Sequence, residues 1–147
     1  MSNLESLLPE LRDWNNGAGI DIESWIACIG NFQLAVGYST VFWPRFVEFE
    51  GYVLREGFSV ETLRGCEQCC SGVRGSVEAL LNHLHIADIQ TCGTDVTGEQ
   101  IVYLGRTLRE IYTAKLRWQF PDREFEVRFD EGNFENLIDY QLTFFQV

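Results

Sequence analysis

The cysteines and histidines of the chain have the spacing of an incomplete metal site. Cys66 and Cys69 belong to a C-x-x-C-C pattern, and His83 and Cys92 follow it downstream. Thiolate and imidazole are the ligands that zinc prefers, and a closed structural site needs four of them. These four residues are therefore the candidate metal ligands.

Two features of the sequence count against a zinc site. His83 and His85 lie two residues apart on a predicted helix, about 200° around its axis, so both cannot reach one metal ion. This spacing also misses the usual H-x3–5-H pattern. Free cysteines commonly pack as small apolar side chains instead. We therefore expect no cofactor, and structural zinc is kept as an alternative.

The segment 130–139 carries four acidic residues and no basic residue. It fails the calcium-loop pattern because Gly132 and Phe134 occupy the third and fifth positions. Two interpretations are open. Its apolar residues pin the loop onto the core, or acids around exposed apolar residues form a docking site for a basic protein. The candidate partner-binding residues are Asp130, Glu131, Phe134, Glu135 and Asp139.

Aromatic residues make up 14% of the chain. Such a content indicates a bulky core, a ring-lined pocket or an interface. Rings are frequent between residues 25 and 52, and this stretch is where a pocket would form. The candidate pocket residues are Trp25, Tyr38, Trp43 and Tyr52.

Common catalytic patterns are absent from the sequence, including G-x-S-x-G, Walker A, G-x-G-x-x-G and H-E-x-x-H. Glu48 and Glu50 share one face of a predicted strand, as paired carboxylates do in some active sites. A solvent-facing strand has the same spacing. We expect a protein that is not an enzyme, and an enzyme or small-molecule-binding protein with the aromatic pocket is the alternative.

The net charge of −11 arises from 22 acidic and 11 basic residues. It opposes binding to nucleic acid and to anionic membrane surfaces, which both need a basic footprint. It favours a basic protein partner, although solubility alone also explains it. The sequence has no secretory signal and no apolar run of about 18 residues. With five cysteines and no export signal, we expect a cytoplasmic protein with reduced thiols.

These observations predict a non-enzymatic, acidic protein-binding module, with a basic partner. Immunity proteins, which neutralise bacterial nuclease toxins, are similar in size and charge. The similarity extends to no motif. An inhibitor of this type is the function that we expect from the sequence.

The clearest periodic segment is residues 97–120, which predicts a long amphipathic helix. Thr97 and Gln100 have the spacing of a capping box, and Pro121 ends the segment. The predicted buried face comprises Ile101, Leu104, Leu108, Ile111 and Trp118. The predicted outer face carries the basic residues Arg106, Arg109, Lys115 and Arg117.

Apolar residues alternate with polar residues on both sides of the acidic loop, in 123–129 and 140–144. This pattern predicts an antiparallel C-terminal β-hairpin, and 46–55 is a candidate third strand. Helices are predicted over 2–16, 21–29, 32–43, 59–66 and 76–84, with 32–43 deeply buried and favoured as helix over strand. The chain is thus predicted to be a single α+β domain over 1–147, mostly helical, with about five helices packed on a small antiparallel sheet.

Overall fold

The computed structural model describes residues 4–91, 95–132 and 135–147. It confirms the α+β class, with a long helix preceding the C-terminal strands. The described chain divides into two compact units, Met1–Ser39 and Thr40–Val147. None of its helices has the length and apolar character needed to cross a bilayer.

The described residues form seven α-helices and five strands. The helices are α1 (Leu4–Leu7), α2 (Trp14–Gly17), α3 (Ile22–Ile29), α4 (Phe32–Phe42), α5 (Val60–Cys69), α6 (Arg74–Leu81) and α7 (Gly98–Gln119). The strands are β1 (Phe46–Phe49), β2 (Tyr52–Arg55), β3 (Leu84–His85), β4 (Phe125–Phe129) and β5 (Gln141–Gln146). Short 3-10 helices lie at Pro9–Asp13, Ile86–Ile89 and Leu137–Asp139.

In the first unit, the helix predicted over 2–16 is broken into short pieces. Asn15 and Asn16 both adopt left-handed backbone angles, with φ of 53° and 57°, which an α-helix does not accommodate. Asp21 caps α3 as predicted, because its carboxylate accepts a hydrogen bond from the Ser24 N–H at 2.9 Å.

Helix α4 confirms the predicted helix over 32–43 and corrects its predicted burial. None of its residues is buried, and the Phe32 side chain is 87% exposed. The helix is uncharged and mainly apolar, with Gln33, Ser39 and Thr40 as its polar residues, so its sequence pattern indicates burial and does not reveal how much of it meets solvent.

In the second unit, the predicted strand 46–55 is a hairpin of β1 and β2. Glu50 and Gly51 form its two-residue turn, with φ of 51° and 84°. Two successive positive φ values are typical of the type I′ turn that joins antiparallel strands. The hairpin is a separate sheet, so it does not supply the third strand of the C-terminal sheet.

That third strand is β3, and the sheet has the antiparallel order β3-β5-β4. The predicted helix 76–84 is therefore wrong at its end, because Leu84 pairs with Leu142 of β5. Its predicted start is also wrong, since α6 begins at Arg74 and Ser76 lies inside it. The pairing of Leu84 joins residues far apart in sequence, which a local pattern does not reveal.

Helix α6 connects the two sheets through buried polar side chains. The Glu78 carboxylate accepts hydrogen bonds from the N–H of Val53 at 2.8 Å and from the N–H of Gln146 at 2.7 Å. One turn later, the Asn82 amide donates to the carbonyls of Val53 at 2.9 Å and Phe144 at 3.2 Å. These bonds tie the edge of β2 to β5 and satisfy backbone groups that no strand pairs.

Helix α7 is the longest element, and its capping box of Thr97 and Gln100 is present as predicted. Leu108, Tyr112 and Leu116 are fully buried. They join the main core cluster with residues of the C-terminal sheet. Gly105 is required where the Phe129 ring lies on the helix, because a Cβ there would overlap the ring. Two assignments on this helix are wrong, since Lys115 is buried and Trp118 is exposed.

Candidate functional site

Lys115 and Trp118 form a cluster with two rings from the start of the second unit. The Lys115 Nζ lies 4.6 Å from the centre of the Trp43 ring. It lies 5.8 Å from the Trp118 ring and 5.9 Å from the Phe46 ring. The Trp43 and Trp118 rings are 6.3 Å apart and inclined at 40°. We call these four residues the tryptophan–lysine cluster.

The cluster combines a buried charge with exposed rings. Lys115 is only 6% exposed, whereas Trp43 and Trp118 are 51% and 72% exposed. Lys115 forms no ion pair with a carboxylate among the described residues. The faces of the rings carry partial negative charge and attract the ammonium group.

The four predicted pocket residues are divided between the two units. Trp25 and Tyr38 lie in α3 and α4 of the first unit and are half-exposed. In the second unit, Tyr52 is buried in a separate cluster with Leu54 and its neighbours. Its hydroxyl donates to Glu67 Oε1 at 3.0 Å. A pocket of all four residues stays a prediction.

Sequence reasoning found Trp43 but missed its neighbours. Trp118 and Lys115 are three residues apart on α7, a spacing that places both on one face of the helix. That local signal was available in the sequence. The approach of Trp43 to this face depends on tertiary structure, so the complete cluster could not be found from spacing.

The described residues of the acidic segment 130–139 fall into two groups. Glu131 binds Arg106 at 2.6 Å and Arg109 at 3.3 Å. The hydrogen bond from Arg106 holds the pKa of the Glu131 carboxyl below its usual range. The three other carboxylates are exposed and take part in no ion pair with described residues. They are Asp130, Glu135 and Asp139. Phe134 lies outside the described residues.

The predicted metal ligands are only partly described, because Cys92 lies outside the described residues. Cys66 is buried on α5 and Cys69 is exposed. Burial raises the pKa of the Cys66 thiol. His83 Nδ1 lies 2.5 Å from the Leu80 carbonyl oxygen. Among the described residues, no group of three or more metal-binding side chains lies together. The zinc site with Cys92 stays a prediction.

The Glu48 and Glu50 carboxylates each bind an arginine. Glu48 pairs with Arg123 at 2.7 Å and Glu50 with Arg64 at 2.8 Å. Both glutamates are exposed. The predicted shared strand face is wrong, because Glu48 lies on β1 and Glu50 lies in the turn that follows it. Each carboxylate is neutralised separately.

Two open cavities lie away from the predicted sites. One of about 420 Å³ is in the first unit, beside Leu11, Arg12 and Asp21. The other, of about 370 Å³, is in the second unit, beside Arg74, Arg123 and Gln146. Neither is lined by an aromatic side chain.

No family model, curated protein or solved structure matches this chain. The functional argument therefore depends on the geometry and charge of its own residues.

Proposed function

We propose that this protein is a non-enzymatic protein-binding module of the inhibitor type, with a basic protein as its partner. The observation that supports the proposal is helix α4, an uncharged helix in which no residue is buried. A mainly apolar helix is normally covered by other protein or by lipid. The large apolar side chains of α4 that lie in the first unit are exposed, and a partner would cover them.

The exposed apolar surface extends over both α3 and α4. The larger side chains on it are between 53% and 87% exposed. Several large exposed apolar side chains on neighbouring elements favour an interaction site, whereas single exposed apolar residues need no explanation. We call the surface the α3–α4 face, and its large members are Ile26, Ile29, Phe32, Leu34 and Val36.

The size of the first unit also favours a partner. It comprises Met1–Ser39, and its buried apolar side chains are Leu7 and Leu11. Units below about 40 residues usually need a disulfide, a metal or an association with other protein to be stable. Covering the α3–α4 face would add the apolar burial that the unit lacks.

Charge identifies the class of partner. Between Arg12 and Arg45 there is no basic residue, and the charged residues there are Asp13, Asp21 and Glu23. Helices that lie on anionic membranes are rich in Lys and Arg, so this face is unsuited to lipid. A partner with an apolar patch and a basic rim complements it in both respects.

The acidic segment 130–139 also favours a basic partner. Glu131 is neutralised by two arginines, but Asp130, Glu135 and Asp139 remain exposed to solvent. Exposed carboxylates of this kind accelerate association with a basic partner and add little to the lifetime of the complex. The net charge also disfavours nucleic acid as the partner.

The free thiols suit a reducing compartment, and we place the protein in the cytoplasm.

The test is a comparison of two matched substitutions in a pull-down from the native cell. Val36→Asp places a charge on the α3–α4 face, where Val36 is 68% exposed. Val73→Asp places the same charge on the second unit, where Val73 is 57% exposed. A basic protein should be captured by the parent chain and by the Val73→Asp variant. Capture by Val36→Asp should fall by about tenfold or more.

A salt series on the captured pair separates the two contributions. Affinity should fall as ionic strength rises, because exposed charges are screened over about 10 Å at 0.1 M salt. Reversal of Glu135 and Asp139 to lysine should slow association at low salt only. An acidic partner, or equal capture by the two aspartate variants, would refute the proposal.

A further inference from the structure

We propose that the tryptophan–lysine cluster is a binding site for a carboxylate carried on an aromatic or apolar frame. The site does not depend on the proposed function, and it lies wholly within the second unit. Its central feature is Lys115, a residue that is 6% exposed and forms no ion pair with a carboxylate among the described residues. Charges that are largely withdrawn from solvent are normally paired in proteins, and an anion from outside would supply that pair here.

The aromatic rings stabilise the ammonium group only in part. Its Nζ lies over the Trp43 ring at 4.6 Å, with Trp118 and Phe46 farther away at 5.8 and 5.9 Å. Ring faces attract a cation, but they accept its N–H groups more weakly than a carboxylate does. An ammonium group has three donors, and a bound carboxylate would accept a hydrogen bond from one of them.

Lys115, at the centre of the cluster, decides the sign of the charge on the ligand. Clusters of aromatic rings are known to bind cations, but here the protein's own Lys115 fills that position. A second cation would be repelled by the ammonium group. An anion is attracted by it.

The two tryptophans decide the shape of the ligand. Their ring centres are 6.3 Å apart and the planes are inclined at 40°. A flat group inserted between two parallel rings needs a separation of about 7 Å, twice the usual contact distance. The ligand therefore does not fit between the rings. Its apolar part lies against their outer surfaces, which are the exposed 51% of Trp43 and 72% of Trp118.

The test uses phenylacetate as the probe, with its neutral analogue phenylacetamide and with acetate as controls. Binding is followed on the full chain by tryptophan fluorescence and by the NMR signals of the indole N–H groups. Phenylacetate should bind with saturation. Both controls should bind about tenfold or more weakly, because the first lacks the charge and the second lacks the ring.

Three variants assign the effect to the cluster. Lys115→Met keeps the aliphatic stem and removes the charge, so phenylacetate and phenylacetamide should then bind equally. Arg117→Met is the matched control. It removes a positive charge two residues further along α7 and should leave the preference for phenylacetate unchanged. Trp118→Ala removes an exposed ring and should weaken the binding of both phenylacetate and phenylacetamide without changing the melting temperature. This variant keeps the test valid if Lys115→Met is poorly folded.

Peptides ending in phenylalanine, with a free or an amidated terminus, identify the source of the carboxylate. Tighter binding of the free-acid peptide than of phenylacetate indicates the C-terminus of a protein, and the reverse order indicates a small organic acid. Equal binding of phenylacetate and phenylacetamide to the parent chain would overturn the proposal. Equal losses in Lys115→Met and Arg117→Met would also overturn it, because they would indicate long-range attraction and no site.

Discussion

At the scale of single residues, Lys115 and Trp118 depart from the usual relation between polarity and burial. A lysine is rarely buried and a tryptophan is usually covered, yet on α7 Lys115 is buried and Trp118 is exposed. The reason is that the Trp43 and Phe46 rings approach the helix beside the Lys115 ammonium group. Helical periodicity places the two residues on one face but does not decide what that face meets.

Leu108 tests the orientation of α7. Its side chain is fully buried, so Leu108→Asp places an unpaired charge in the core and should abolish cooperative unfolding. Trp118→Asp is the control, because Trp118 was predicted on the same buried face and is exposed in the structure. Thermal melts followed by circular dichroism should separate the two variants. If Leu108→Asp melts like the parent chain, the orientation of α7 is wrong.

At the scale of elements, α6 has a role that its sequence does not suggest. Its Glu78 and Asn82 side chains are 0% and 1% exposed. They bind backbone groups of β2 and β5, which belong to different sheets. Two small sheets are thereby joined by side chains, because neither sheet extends to the other through strand pairing.

Substitution of Glu78 should reveal this connection. Glu78→Gln replaces one acceptor oxygen with an NH2 group that faces the backbone N–H of Val53 or Gln146. A buried donor left without an acceptor costs about 1–3 kcal/mol, so the free energy of unfolding should fall by that amount. Denaturant titration measures it. Glu110→Gln, at an exposed position of α7, should change stability by a few tenths of a kcal/mol, and equal effects at the two positions would contradict this role.

Helix α7 and the acidic segment are linked by Glu131, and this link makes stability depend on pH. Bonds from Arg106 lower the pKa of Glu131 in the folded chain. Such a group stabilises the fold at pH values above its unfolded pKa. The stabilisation disappears as the pH falls through the lower folded pKa.

Arg106→Met should therefore reduce stability at neutral pH and have little effect in acid. The pKa of Glu131 should rise towards its ordinary value, which carboxyl NMR titration would detect. Arg117→Met is the control, since Arg117 forms no ion pair with the described residues. A loss of stability in Arg106→Met that is the same at neutral and acidic pH would exclude the ion pair as its cause.

At the scale of the whole molecule, both buried clusters belong to the second unit. The larger cluster is centred on α7 and the C-terminal sheet, and the smaller one contains Tyr52 and Leu54. Glu78 is the buried acidic residue among the described residues. The other described acidic residues reach the surface. The residues that stabilise the fold thus lie in the core, whereas most acidic residues lie at the surface. There they can attract a basic partner.

The fragment 40–147 should fold without the first unit, because it contains both clusters. We expect a cooperative thermal transition within about 10 °C of that of the full chain. A fragment that begins at residue 60 lacks the hairpin of β1 and β2 and should lose the smaller cluster. If 40–147 shows no cooperative transition, the first unit is needed for folding of the second.

The sequence alone determined the features that depend on neighbours along the chain. Thr97 and Gln100 indicated the start of α7, Asp21 and Ser59 the starts of α3 and α5, and alternation indicated β4 and β5. These features follow from hydrogen bonds and periodicity within a few residues.

Tertiary structure alone decided which residues meet across the chain. It paired Leu84 with β5, left α4 exposed and brought Trp43 to Lys115. Local patterns do not encode these features, since the two contacts join segments that are separated in sequence and the exposure of α4 depends on what covers a mainly apolar helix. For this reason the acidic segment was visible in the sequence, whereas the tryptophan–lysine cluster was found only in the fold.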